Sequence, residues 1–199
     1  MEFRLTYEGP LKAASRTDTR AAEKHAVRKT FHKQLANLWG VHPALVAIKT
    51  NPPFDKEPGR PARPEIEIIA EKFSRCGYQF VPIVTTDLCL CCELDILFLR
   101  RQDPGALIGT GGDIDNRLKT LLDALRLPTN CDEVKGPQPE KDETPFFCLL
   151  QDDALVTGLK ITTDRLLKPM QVGQADNDVH LIISVLVKPT RNTWGNTMF

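Results

Sequence analysis

The chain has 199 residues, 41% of them hydrophobic, and its 26 Lys and Arg residues balance 26 Asp and Glu residues. This length and composition suit one sizeable soluble domain, and the net charge by itself does not indicate a nucleic-acid partner. No apolar run approaches the roughly 18 to 20 residues that a membrane span requires. The first residues lack the basic start and apolar stretch of a secretory signal, so we expect a cytoplasmic protein that does not enter a membrane.

The first elements in the chain are a strand and a long helix. "EFRLTY" alternates polar and apolar residues as a strand does, and the pattern from Thr17 to Trp39 is helical. Basic residues in and just before this helix recur every four positions, which predicts one stripe on the helix surface. Such a stripe is either a solvated face or a phosphate-binding surface for DNA. Its members are Arg16, Arg20, Lys24 and Arg28.

The middle of the chain alternates between a proline-rich segment and strands. Residues 51–64 contain five prolines, which predicts a surface loop or linker. A short segment, "EIEIIAEKF", precedes two β-like runs, "YQFVPIVTT" and "LCLCCELDILFLRR". The second run predicts a long, largely buried strand, because apolar residues occupy every second position. These residues are Leu90, Cys92, Leu94, Ile96 and Phe98.

The six cysteines suggest thiols rather than disulfides, because the chain is long and carries no secretory signal. Cys89, Cys91 and Cys92 lie in an apolar run without the paired spacing of a zinc site, so we expect them to be buried thiols in a strand. The other three, Cys76, Cys131 and Cys148, are scattered and show no pattern.

A second helix is predicted in "GGDIDNRLKTLLDALRLP", residues 111 to 128. Its apolar stripe should pack on the core; the stripe consists of Leu118, Leu121, Leu122 and Leu125. Asp113 follows two glycines at the position of a helix N-cap. Asp115, Lys119 and Asp123 are spaced four apart, so they should share the opposite, polar face.

The rest of the chain predicts further strands. Residues 127–146 are polar and proline-rich, as in a long loop, and "FFCLLQDDALVTGLKITT" reads as strand, acidic turn and strand. "DVHLIISVLVKP" is apolar on both faces, so it should lie inside a sheet. The order of elements predicts an α+β fold in which helices flank a single mixed β-sheet. We expect one domain over residues 1–190 and a C-terminal tail over residues 191–199.

The acidic residues of this second half suggest a metal site. If the Asp152–Asp153 turn lay beside Asp113 and Asp115, three or four carboxylates would repel one another unless a cation neutralised them. Mg²⁺ is commonly held by one or two carboxylates together with the phosphate oxygens of a substrate. The alternative is structural: Asp113 caps the helix, Asp115 complements its dipole and Lys119 pairs with its neighbours.

The same residues, in the same order, resemble the RusA-type Holliday junction resolvases. The shared pattern is an Asp-x-Asp-Asn at a helix start, a Lys four residues later, an Asp-Ala-Leu ending and a downstream Asp-Asp pair. The resemblance covers mainly residues 90–165 and implies a RusA-like fold, also across the rest of the domain. It also implies a homodimeric, Mg²⁺-dependent endonuclease, with Mn²⁺ as a substitute metal, that cuts four-way DNA junctions by paired nicks during recombination, repair or phage DNA processing.

The resemblance also implies roles for individual residues. Asp113, Asp115 and Asp153 would be catalytic metal ligands, and Lys119 would be the catalytic lysine. From the chemistry of metal sites, we expect Asn116 to orient a ligand carboxylate by a hydrogen bond and Asp152 to support the ligands without contacting the metal. In this context the basic helix would contact DNA. The main alternative is a branched-DNA-binding or interaction protein without catalysis, in which the acidic residues are structural.

Overall fold

The computed structural model describes residues 1–12, 20–53, 63–101, 113–134, 138–168 and 178–199, without the side chains of Asp113 and Trp194. These residues form seven strands and four α-helices. The strands are β1 (Glu2–Pro10), β2 (Ser74–Arg75), β3 (Tyr78–Val84), β4 (Leu90–Arg100), β5 (Phe146–Leu150), β6 (Val156–Arg165) and β7 (Asp178–Pro189). The helices are α1 (Ala21–Val41), α2 (Pro43–Thr50), α3 (Glu65–Lys72) and α4 (Asp113–Leu125).

The strands form two mixed sheets. The larger has the order β1-β7-β4-β6, in which β7 is antiparallel to both of its neighbours and β6 is parallel to β4. The smaller has the order β2-β3-β5, in which β3 and β5 are parallel. The fold is therefore mixed α and β, compatible with the predicted α+β class, but the prediction of a single sheet is wrong. The chain turns between Thr85 and Leu90, and β4 then pairs with β6 and β7 instead of with β3.

The alternation of apolar residues gives the large sheet one buried face. All five apolar residues of β4 named above are buried, as predicted. Strand β7 lies between β1 and β4, which confirms its predicted place inside a sheet. The opposite face of the sheet carries polar pairs such as Lys188–Glu93 and Lys160–Asp95, with nitrogen–oxygen distances of 2.6 and 2.8 Å.

Helix α1 supplies the other side of the core. Its buried apolar residues are spaced four apart, as a helix that packs along one side requires; they are Val27, Phe31, Leu35 and Trp39. The helix begins at Ala21 rather than near Thr17, after Arg20 with a left-handed φ of 47°. It ends before Pro43, which begins α2 and is well suited to a first helical position. Helix α2 was not predicted from the sequence.

The described parts of the two predicted loops have little regular structure, whereas the C-terminal tail is held to the domain. In the proline-rich segment 51–64, the described residues 51–53 and 63–64 have no regular structure. The predicted long loop contains two short 3₁₀ turns, Cys131–Glu133 and Lys141–Glu143. The C-terminal tail packs on the domain, because Asn196 is buried and donates to the carbonyl oxygen of Leu88 at 2.8 Å.

Candidate active site at the start of helix α4

Three residues of the predicted catalytic motif face solvent on the first half of α4. Asp115, Asn116 and Lys119 are exposed. Within the described part of the chain, the side chains of Asp115 and Lys119 form no hydrogen bond or ion pair, although the two residues are four apart. The structural alternative, in which Lys119 pairs with its neighbours, is therefore not what the structure shows. The side chain of Asp113 lies outside the described residues, so its predicted capping and metal-binding roles stay predictions.

The buried side of α4 fixes which of its residues face solvent. Arg117 donates to the carbonyl oxygen of Leu11, and the hydroxyl of Thr120 donates to that of Lys12 at 3.3 Å. Of the predicted apolar stripe, two leucines are buried and the other two pack against the core while partly exposed. Because polar contacts and apolar packing hold the same side, the helix is locked with Asp115 and Lys119 outward.

Asp123 does not share that exposed face, so this part of the sequence prediction is wrong. It is 5% exposed and accepts from Lys24 at 2.6 Å and from Arg126 at 2.7 Å. Burial alone would raise the pKa of Asp123, but the hydrogen bond and charge of Lys24, together with Arg126, outweigh it and hold the pKa below its usual value. Asp123 is thus an internal anion that joins α4 to α1.

The predicted basic stripe on α1 is also corrected. Lys24 is 7% exposed and Arg28 is 1% exposed, because α4 and the following loop cover this part of the helix. Arg28 donates to the carbonyl oxygen of Asp123 at 2.8 Å and lies 3.8 Å from the Glu133 carboxylate. Burial lowers the pKa of Arg28. Neither side chain is available to DNA phosphates in this structure.

Of the other two members of the stripe, only Arg20 is described, and it is the residue just before α1. Arg20 is half-buried and sits 3.4 Å from the carboxylate of Glu23, and Arg16 lies outside the described residues. The prediction of an exposed basic stripe is therefore wrong for Lys24 and Arg28, which are buried. Arg20 is half-buried, and Arg16 is not described.

Further along α1, the same side of the helix binds the loop that follows α4. Lys29 pairs with Glu143 at 2.6 Å and with Glu140 at 3.2 Å. Nε2 of His32 lies 2.9 Å from the carbonyl oxygen of Asp142, and Nδ1 accepts from the amide of Phe147 at 2.8 Å. Because Nδ1 accepts, Nε2 carries the proton and His32 is neutral. The positive side of α1 thus binds acidic loop residues rather than an external anion.

The acidic turn divides its two aspartates between different roles. It forms a short 3₁₀ turn, Asp153–Leu155, for which the Asp152 side chain is the N-cap and accepts from the amide of Ala154 at 2.9 Å. The side chain of Asp153 is exposed and, among the described residues, makes no hydrogen bond or ion pair. This division agrees with the assignment of Asp153, rather than Asp152, as the metal-binding member, but does not test it.

The structure holds the acidic turn toward the other end of α4. The amide of Leu127 donates to the carbonyl oxygen of Leu150 at 2.9 Å, so the end of β5 lies beside the end of α4. Asp153 follows three residues later, and its charge contributes to a raised pKa of Arg126, although burial, the largest influence, lowers it. Asp115 lies eleven residues before Arg126, about 16 Å along a helix axis.

The predicted convergence of carboxylates involves one side chain, that of Asp113, that is not described. No three His, Cys, Asp or Glu side chains within the described ranges lie close enough together to hold a metal ion. The side chain of Asp113 is outside those ranges, so the ligand set of Asp113, Asp115 and Asp153 stays a prediction.

The cysteines differ from the sequence prediction in one respect. Cys76 and Cys131 form a disulfide with a Cα–Cα distance of 5.3 Å, so the expectation of thiols throughout is wrong for this pair. Cys91 and Cys92 are buried and free, as predicted, whereas Cys89 is only half-buried because it precedes β4. Burial raises the pKa of both Cys92 and Cys148 to about 12.

In the described ranges, no helix combines the length and the apolar character that crossing a membrane would take. Comparison of the chain with protein-family models, with curated proteins and with solved structures finds no match. The resemblance to the RusA-type resolvases accordingly depends on the motif residues and their order.

Proposed function

We propose that this chain is a metal-dependent endonuclease that nicks branched DNA, with the four-way junction as its preferred substrate. The observation that supports this best is the contrast within α4. Asp123 is held in internal ion pairs, whereas the exposed Asp115 and Lys119 have no partner in the described part of the chain. A purely structural motif would be expected to use all three charges in folding.

The metal assigned to this site is Mg²⁺, with Mn²⁺ as a substitute. Asp115 and Asp113 would be its principal ligands, since carboxylate oxygens suit these ions. Asp153 is the third ligand that the resemblance implies, and it needs a separate test because it lies toward the other end of α4. When bound, the metal would supply activation of water and compensation of charge on the scissile phosphate.

Lys119 and Asn116 have distinct proposed roles. The Lys119 ammonium lies one turn after Asp115 on an exposed face, where it can offset negative charge that builds on the phosphate oxygens. Asn116 would orient a ligand carboxylate by a hydrogen bond, and Asp152 supports the turn that carries Asp153. Arg16 and Arg20 would contact DNA, whereas the buried Lys24 and Arg28 would not.

A twofold homodimer is part of the proposal. A four-way junction has approximate twofold symmetry, and two paired nicks require two identical sites on opposed strands. Light scattering with and without a four-way junction tests this directly. A dimer in both states supports paired nicking, whereas a monomer in both states removes the basis for it.

The function itself is tested by incubating the protein with end-labelled DNA of four shapes: a four-way junction, a fork, a linear duplex and a single strand. The expected result is nicking that requires Mg²⁺ or Mn²⁺, stops with EDTA and is fastest on the four-way junction. Ca²⁺ should support binding without efficient cutting, because its looser coordination positions water poorly. Cutting of all four shapes at equal rates would keep the nuclease but remove its junction preference.

A second candidate is a branched-DNA-binding or interaction protein without catalysis. It is favoured by the structural use of Asp123 and Asp152, which shows that part of the acidic motif serves the fold. The same panel separates the two candidates. Selective binding of the four-way junction with no metal-dependent cutting would favour the second.

A further inference from the structure

The segment that follows α4, residues 127–134, is held to the core by a small number of contacts. The carbonyl oxygen of Pro128 accepts from Arg75 at 2.9 Å. Glu133 contacts Arg126 at 3.5 Å, and its carbonyl oxygen accepts from Arg28 at 3.4 Å. Its apolar burial comes from the buried Leu127 and Pro128, and from Val134, which packs against the same small cluster as Leu127 while partly exposed. The start of the segment is held firmly, since the amide of Leu127 also donates to the carbonyl oxygen of Leu150 at 2.9 Å. These two contacts of Glu133, which lies two residues from Cys131, are the weaker ones, because 3.4 and 3.5 Å are long for hydrogen bonds.

One covalent bond supplements these contacts. The disulfide from Cys131 reaches Cys76 in the turn between β2 and β3, across a sequence separation of 55 residues. Cys76 and Gly77 form this turn with φ angles of 55° and 81°, as in the tight two-residue turns of β-hairpins. The bond therefore ties the segment after α4 to the hairpin of β2 and β3.

Cys76 and Cys131 are more accessible to thiol exchange than the buried cysteines of the chain. Cys131 is exposed and Cys76 is half-buried, whereas Cys91, Cys92 and Cys148 are buried. Exchange requires a thiolate to reach a sulfur atom, so the buried thiols are protected from it. Cys89 is half-exposed, but it lies outside this segment.

We propose that Cys76 and Cys131 form a reversible thiol–disulfide switch that sets how firmly residues 127–134 are held against α1 and α4. The co-reactant is a low-molecular-weight disulfide such as oxidised glutathione. The two protein thiols lose two electrons and two protons and form the Cys76–Cys131 bond. The glutathione disulfide gains both, its sulfur–sulfur bond breaks and two glutathione thiols leave. Excess reduced glutathione reverses the reaction.

In the reduced state the segment keeps only its noncovalent contacts. Glu133 lies two residues from Cys131, so release of Cys131 frees the backbone that positions Glu133 against Arg126 and Arg28. Local opening of this segment then needs fewer contacts to break, while the large sheet is unaffected. The switch acts on the fold and does not depend on the chain being a nuclease.

The test compares hydrogen exchange of the full chain after equilibration with oxidised and with reduced glutathione, with the thiol state read by alkylation and mass. We expect oxidised glutathione to protect two cysteines from alkylation. Reduction should speed exchange in residues 127–134 by at least about tenfold and leave β7 unchanged. A Cys76→Ser/Cys131→Ser variant should match the reduced protein in both buffers, and a Cys89→Ser variant should respond like the parent.

Two results would overturn the proposal. The first is that Cys76 and Cys131 stay open to alkylation after treatment with oxidised glutathione. The second is that oxidised and reduced parent protein exchange residues 127–134 at the same rate. Both comparisons use the parent chain, so they remain decisive if the double variant does not fold.

Discussion

Lys24 of α1 and Asp123 of α4 form an ion pair with a nitrogen–oxygen distance of 2.6 Å, and both side chains are less than one-tenth exposed. Arg126 contacts the same carboxylate at 2.7 Å. The pair lies between the helix that covers the core and the helix that carries the candidate active site. It therefore fixes α4 against α1. Its two residues, Lys24 and Asp123, were both predicted from the sequence to lie on exposed faces of their helices.

Asp123→Asn should destabilise the protein by about 3 to 5 kcal/mol, because it leaves Lys24 and Arg126 buried without their shared anion. The measurement is the free energy of unfolding from a urea titration. The matched control is Asp115→Asn, the same chemical change at an exposed position of the same helix, which should stay within about 0.5 kcal/mol of the parent. Equal losses for the two variants would show that Asp123 is not internal.

The difference between Asp115 and Asp123 shows what the sequence alone does not predict, namely which part of a helix side is covered by another element. Helical spacing predicts that residues four apart share a side, but α1 covers the later part of that side and leaves the earlier part exposed. The alternation in β4 and the apolar character of β7 were sufficient to predict their burial, because strand periodicity is local. The second sheet, the disulfide and the partners of Arg28 depend on contacts between distant residues, which local patterns do not encode.

The stability of the protein should fall as the pH is lowered from about 6.5 to 4. Burial, and then the charges of Arg28 and Lys29, lower the pKa of His25 to about 4, below the value near 6.5 of an unfolded chain. Between these values the unfolded chain binds a proton that the folded chain does not, so folding loses up to about 3 kcal/mol. Burial also lowers the pKa of His32, which adds to the loss.

Thermal or urea unfolding at pH 7, 6 and 5 measures this dependence. His25 stacks on Phe146 with ring centroids 5.9 Å apart, so His25→Phe keeps an aromatic ring at the site while removing the titrating group. The variant should show a clearly shallower fall in stability over this range. A slope equal to that of the parent would mean that His25 does not carry the effect.

Substitution of the two aspartates of the acidic turn should change the free energy of unfolding by different amounts. Asp152→Ala removes the N-cap that accepts from the amide of Ala154 and should cost about 0.5 to 1 kcal/mol. Asp153→Ala removes an exposed carboxylate and should change the free energy of unfolding by less than about 0.5 kcal/mol. If Asp153→Ala proves the more damaging of the two, Asp153 has a structural role and is a poor candidate for a metal ligand.

The salt dependence of DNA binding locates the phosphate contacts. Lys119→Ala should reduce the slope of log affinity against log salt by about 0.9 for the one contact it removes. Lys33→Ala, an equivalent change at an exposed position of α1, should leave the slope unchanged. The measurement is a gel shift on a labelled four-way junction at several salt concentrations. If only Lys33→Ala reduced the slope, the phosphate contact would lie on α1 and not on α4.

The central claim, that the exposed Asp115 of α4 holds a catalytic metal, is tested most directly by Asp115→Asn. Binding to one labelled four-way junction and Mg²⁺-dependent nicking of it are measured side by side. The substitution keeps the size of the side chain and removes a charge that repels DNA phosphates, so binding should equal or exceed that of the parent. Nicking should fall by several orders of magnitude, with unfolding unchanged. Nicking by Asp115→Asn at the parental rate would contradict the claim.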